Sequence, residues 1–100
     1  MNEEDNLHVL RKLRKKPEFS QRELAKELNF SLGKLNYCLK SLQQKGLIKI
    51  KNFKKNPKKI NYLYILTPKG ISEKTKLTLN FMKRKMEEYE ELKKEIEQKK

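Results

Sequence analysis

The stretch from Ser20 to Ile48, SQRELAKELNFSLGKLNYCLKSLQQKGLI, carries two helix starts in quick succession and leaves the chain few ways to fold. Ser20 precedes Gln21-Arg22-Glu23, an S-x-x-E pattern in which the hydroxyl and the carboxylate each satisfy an orphan amide of the first turn. Leu24, Ala25 and Leu28 recur at helical spacing before Asn29 and Phe30 break the run, and Ser31 then offers a second N-cap. Leu35, Cys38, Leu39 and Leu42 fall on one helical stripe, and Gly46 stands where a left-handed C-terminal residue is wanted. Helices are therefore expected over about 21–28 and 32–45, joined by about three residues into a helix-turn-helix.

With that stripe turned to a core, the opposite face of the second helix carries Ser31, Gly33, Lys34, Asn36, Tyr37 and Lys40, and Ser20 and Gln21 stand at the start of its neighbour. Lys and Asn donate to base edges in a DNA major groove, a Gly lets the backbone come close, and a Tyr hydroxyl reaches a phosphate or a base. An ordinary solvated helix face would look similar. Charge distribution separates the two readings. The net charge is +13, and residues 28–72 supply +10 of it through ten lysines with no Asp or Glu, whereas residues 1–27 contribute +1 and residues 73–100 contribute +2. A solubilising surface intersperses both signs, so an acid-free run of this length points to an anionic partner, with double-stranded DNA the foremost candidate.

The flanking segments complete a small domain. Asp5 or Asn6 can cap a first helix over about 6–16, in which Leu7, Val9, Leu10 and Leu13 face inward and which Pro17 stops. His8 within it has no second ligand at metal spacing and reads as an ordinary residue. Phe19, just before the capping box, is placed to staple onto Leu24. After Gly46, alternation of apolar and basic residues over about 47–51 and the β-rich INYLYIL over about 60–66 predict two strands. Between them the segment 52–59, with Asn56-Pro57 as turn former, forms a basic loop bearing Lys54, Lys55, Lys58 and Lys59. A helix-turn-helix followed by a basic hairpin is a winged helix, mainly α with a small β-hairpin, its wing lysines placed to meet phosphates or the minor groove.

Thr67-Pro68 opens a last helix that runs to about Gln98 without another Pro or Gly. Its stripe of Ile71, Thr75, Thr78, Met82, Met86, Tyr89, Leu92 and Ile96 is widened in the first half by Leu77 and Phe81, which suggests that this half packs on its own domain. From Glu87 on, a narrow apolar seam lies between charged flanks with Glu90–Lys94 and Glu95–Lys99 at i,i+4. Phe81, Met82, Met86, Tyr89, Leu92 and Ile96 are thus expected to pair with a second copy, making a homodimer that reads a two-fold symmetric operator. The expected division is 1–68 for the winged helix-turn-helix and 69–100 for the dimerisation helix.

SQRELAKEL, SLGKLNYCLKSLQQKGLIK, the basic loop and YLYILTPKG resemble a MarR-type winged helix-turn-helix regulator. The continuation GISEKTKLTLNFMKRKMEEYEELKKEI is similar to the MarR regulators associated with exopolysaccharide (EPS) gene clusters. The resemblance spans about residues 7–97, and the NYCLK and LTPKGI segments are its specific parts. It implies a dimeric transcriptional regulator encoded near polysaccharide-biosynthesis genes. Two departures bear on mechanism. The chain begins almost directly at the winged helix, so dimerisation is expected to fall on the C-terminal helix. The wing lacks the Asp and Arg usual in the broader family, so its four lysines would substitute with less bidentate recognition. No residues here require the phenolic-ligand pocket known in some relatives, and the effector is left open.

Cys38 is the only cysteine, which excludes an intramolecular disulfide and suits a thiol-protecting compartment. Some relatives switch by thiol oxidation, but a small hydrophobe on the core side of a helix is the default reading of Cys38. The acidic start MNEEDNLHVL lacks a signal sequence's bases, and no apolar run approaches the ~18 residues of a membrane span, so a cytoplasmic protein is expected. With one His, one Cys, no glycine-rich phosphate loop and no ligand cluster, neither an enzyme nor a cofactor is expected. An RNA-binding winged helix, or a non-specific architectural or adaptor protein using the long helix, is the rival reading.

Overall fold

The first helix, α1, starts at Glu3 and runs to Lys15, earlier than a cap at Asp5 or Asn6 would place it. Its first turn is Glu3-Glu4-Asp5, where carboxylates meet the positive end of the helix dipole and stabilise the helix. The computed structural model describes residues 3–56 and 59–98, and side chains outside 53–61. Along it follow α2 (Gln21–Leu28), α3 (Leu32–Gln44), β1 (Ile48–Asn56), β2 (Lys59–Leu66) and α4 (Pro68–Gln98).

Local chemistry fixes the ends. The Glu23 N–H donates to Ser20 Oγ and the Lys34 N–H to Ser31 Oγ, each at 3.1 Å. Asn29 takes the left-handed conformation at φ 58°, and the N–H groups of Asn29 and Phe30 close α2 onto Lys26 and Ala25. Gly46, at φ 73°, ends α3 in the same way, with its N–H on Gln43 and that of Leu47 on Leu42.

Leu7, Val9, Leu10 and Leu13 of α1, Leu24 and Ala25 of α2 and Leu35, Cys38, Leu39 and Leu42 of α3 form one buried cluster with Phe19, Leu47, Ile48, Tyr64, Leu66 and Leu77. Each fully buried Leu is worth about 1.5–3 kcal/mol relative to exposure, so three short helices become stable only together. Phe19 and Leu24 both lie in this cluster, as the staple pattern anticipates.

The hairpin is longer than expected. β1 and β2 pair antiparallel from Ile48↔Leu66 to Asn56↔Lys59, with an irregularity between Lys54 and Asn56, so most of the segment read as loop is strand. A ladder needs only backbone groups, and the Lys- and Asn-rich composition did not prevent it. Tyr64 and Leu66 are buried, whereas Tyr62 on the same face is 48% exposed because the hairpin there has left the body. The Tyr64 N–H donates to the Pro17 carbonyl at 3.1 Å, tying β2 to the end of α1.

The step from hairpin to α4 is tightly built. The Thr67 N–H donates to the Leu47 carbonyl at 3.0 Å, its hydroxyl to the Gly46 carbonyl at 2.7 Å, and the Gly70 N–H donates back to Thr67 Oγ1 at 3.0 Å. A Cβ on Gly70 would fall onto the Leu47 carbonyl oxygen, which explains a glycine in the first turn of a helix. Beyond, Leu77 is buried and Ile71 and Phe81 are partly buried on the core, while every described residue from Met82 on is exposed. The molecule measures 67 × 26 × 21 Å, the long dimension reflecting that projection.

Candidate nucleic-acid interface

With its Leu35, Cys38, Leu39 and Leu42 side buried, α3 presents Gly33, Asn36, Tyr37 and Lys40 to solvent on one face. Among the described residues, no hydrogen bond or ion pair engages the side chains of Asn36, Tyr37 or Lys40. Tyr37 is 64% exposed, a large exposure for a ring in so small a domain. A Cβ on Gly33 would meet nothing within 4 Å, so the fold itself does not require glycine there.

The other residues expected at this surface have work inside the molecule. Ser20 and Ser31 accept the capping amides. Gln21 Nε2 donates to the Tyr64 hydroxyl at 3.1 Å, joining the start of α2 to the hairpin. Lys34 Nζ lies 3.3 Å from Asp5 Oδ2 of α1 and 4.2 Å above the Phe30 ring, which draws it to one side of the face. Lys69, counted in the acid-free segment, donates to the Lys45 carbonyl at 3.2 Å and so complements the C-terminal end of α3.

Along the hairpin, Ile48 is buried and Ile50 partly buried, while Lys49 and Lys51 are exposed on the other face. Lys54, Lys55 and Lys59 stand on the strands with side chains outside the described residues, and Lys58 lies outside them altogether. One surface residue escaped the sequence reading: Leu32, 46% exposed in the first turn of α3. It falls off the buried stripe, which was the available signal, and an apolar side chain there suits contact with a thymine methyl.

Cys38 is fully buried, and burial pushes its thiol above the ordinary value, with Asp5 adding to the rise and Lys34 opposing it. Such a thiol stays protonated and unreactive at neutral pH. Burial likewise pushes the Tyr64 phenol up, against the hydrogen bond from Gln21. His8 packs edge-on against Phe81 with ring centroids 6.2 Å apart, so Phe81, expected in the dimer seam, is turned toward its own body. Among the described residues no three His, Cys, Asp or Glu side chains are grouped to hold a metal ion, and no helix is long and apolar enough to cross a membrane.

A family model described as winged helix-turn-helix DNA-binding matches residues 6–49. No curated protein matches the chain in sequence. Among solved structures, the fold is similar to the PcaV transcriptional regulator from Streptomyces coelicolor, solved with its natural ligand (18% identity, TM-score 0.69, 78% of this chain and 54% of that one). It is similar to Staphylococcus aureus MarR in complex with salicylate and kanamycin (20% identity, TM-score 0.65, 86% and 56%). A third match is ZitR of Lactococcus lactis, a zinc-responsive MarR family member (25% identity, TM-score 0.65, 88% and 58%). The chain thus spans little more than half the length of these proteins. Its helix-turn-helix, its two-stranded wing and its long last helix make a winged helix-turn-helix fold, similar to that of the MarR regulators it matches.

Proposed function

We propose that the chain is a sequence-specific, double-stranded DNA-binding transcriptional regulator that acts as a cytoplasmic homodimer. The observation that carries the reading is the outward face of α3: Asn36, Tyr37 and Lys40, unengaged and exposed beside an open Gly33, within a segment of net charge +10 that has no acid. In this reading α3 enters the major groove. Asn36 pairs with an adenine edge or a phosphate, Lys40 donates to a base or the backbone, and Gly33 admits the backbone of α3 close to the duplex. Ser20, Ser31 and Lys34 add contacts at the rim, and the lysines of 52–59 follow the backbone or minor groove, giving affinity with little sequence information.

Residues 1–68 are the reading unit and 69–100 the dimerisation arm in this proposal. The seam of Met82, Met86, Tyr89, Leu92 and Ile96 supports pairing, since each is more than half exposed in the single chain. Regulation of polysaccharide-biosynthesis genes rests on the resemblance of residues 70–96 to the EPS-associated branch.

The test is fluorescence anisotropy at near-physiological salt with the duplex upstream of the protein's own gene cluster and a shuffled duplex of equal length. A specific regulator prefers the first by ~10³ or more, and Asn36→Ala with Tyr37→Ala abolishes the preference. Equal binding to both would leave only attraction to phosphates, and the RNA-binding and adaptor readings would take over.

A further inference from the structure

We infer that α4 pairs antiparallel with α4 of a second copy, in the register that seats Met86 against the partner's Tyr89. The inference rests on the homodimer reading and adds its direction and register. The distal seam is a heptad pattern, with Leu79, Met86 and Lys93 at its first inward position and Met82, Tyr89 and Ile96 at its second. Antiparallel helices bring first positions against second positions. Met86 then meets the partner's Tyr89, Leu79 its Ile96, and Met82 the aliphatic stem of its Lys93, whose ammonium can reach water.

The flanks select this arrangement. One edge of the seam carries Lys76, Lys83, Glu90 and Glu97 at seven-residue intervals, two bases followed by two acids. All four are exposed, and none has an ion-pair partner among the described residues of its own chain. A trough on this edge, floored by Leu79, Met82 and Met86, is bordered by Lys83 and Glu90. Reversing the second helix lays Lys83 beside the partner's Glu90 and Lys76 beside the partner's Glu97, and the two-fold axis repeats both. Four opposite-charge pairs form along one edge. A parallel pair would gain only Lys85 with the partner's Glu90 and its symmetry mate, and would set Lys93 against the partner's Lys93 within the seam.

The spacing also fits. The axis passes between residues 87 and 88, and the part of α4 packed on its own body, Ile71 to Phe81, centres on Lys76. At ~1.5 Å per residue that centre lies about 17 Å from the axis, so the two bodies attach about 35 Å apart, close to the ~34 Å between successive major-groove faces. A parallel pair would hold both bodies side by side at one end.

The experiment uses the full chain with Cys38→Ala, Leu79→Cys and Ile96→Cys, oxidised at equilibrium and mapped by peptide mass spectrometry, with sedimentation equilibrium alongside. The antiparallel register predicts disulfides joining position 79 of one copy to position 96 of the other. A dimer linked 79 to 79 and 96 to 96, or one that forms no such links, overturns the register while leaving the homodimer intact. A monomer at ~100 µM overturns the dimer and the register together, and the DNA test above remains separate. Charge exchange supplies a check that keeps Cys38. Lys83→Glu should weaken the dimer about tenfold, and adding Glu90→Lys should return it to within about threefold, since positions seven apart in one helix do not meet. Failure of that rescue in a protein that still dimerises also overturns the register.

Discussion

Within α4, Leu77 is buried and Ile71 and Phe81 are packed on the core, whereas nine residues beyond Leu77, on the same unbroken helix, Met86 is 66% exposed. Both halves keep apolar residues at helical spacing, so the periodicity alone does not distinguish them. The width of the stripe does. Where Leu77 and Phe81 broaden it, the helix lies on its own domain, and where it narrows to a seam between Lys and Glu flanks, none of the described residues covers it. A periodic stripe therefore states that burial is needed, and its width says whether a curved core or a single partner helix supplies it.

The largest effect should come from breaking the proximal half. Leu77→Ala is expected to lower the unfolding free energy by about 2–4 kcal/mol in urea titration, equally at low and high protein concentration. Met86→Ala should be silent when the protein is dilute and destabilise it only at concentrations where copies associate. A concentration-dependent loss from Leu77→Ala would erase the contrast between the halves.

Next in size is the junction that anchors the proximal half. Gly70→Ala drives a Cβ against the Leu47 carbonyl, and a loss of about 2 kcal/mol is expected from the same titration. Gly33→Ala, where the added methyl meets open space, should instead stabilise α3 by up to about 1 kcal/mol while weakening specific DNA binding in the anisotropy assay. Two glycines in one short chain would thus move stability in opposite directions.

Inward and outward polar groups sharpen the same comparison. Gln21→Ala leaves the part-buried Tyr64 hydroxyl without its donor and should cost about 1 kcal/mol, while Asn36→Ala should change stability by less than about 0.5 kcal/mol and act on DNA discrimination alone. The smallest effect is alkaline. Burial holds the Cys38 thiol and the Tyr64 phenol above their ordinary values, so the unfolded chain releases those protons first. The stability they contribute is whole below the ordinary thiol value of about 8.5 and declines as pH rises beyond it, first through Cys38 and then through Tyr64. In Cys38→Ala the earlier part of that decline should disappear from thermal unfolding measured against pH.

What the sequence discloses is what its neighbours decide. Ser20, Ser31, Gly46 and Thr67-Pro68 mark helix ends because a cap is completed within a few residues, and the buried stripes of α1 and α3 are legible for the same reason. The start of α1 falls earlier than the cap pattern at Asp5 and Asn6 indicates because the acidic turn Glu3 to Asp5 favours a helix through its dipole. The wing strands run longer than side-chain composition indicates because the ladder depends on backbone pairing with residues across the hairpin. Gln21 with Tyr64, 43 residues apart, and Lys34 with Asp5 are bonds between distant segments. No local pattern announces them, and they separate the face residues held by the fold from Asn36, Tyr37 and Lys40, which it leaves available.

The knot of bonds among Gly46, Leu47, Thr67 and Gly70 makes the base of the hairpin and the root of α4 a single joint with no slack. A rod about 45 Å long that leaves such a joint, and that Ile71, Leu77 and Phe81 hold again on the core, is fixed to the domain at more than one point, so the direction of its far end sets where the wing stands. Anything that changes how the far end is gripped would turn the lysine-bearing hairpin together with its whole domain, although it touches no residue near it.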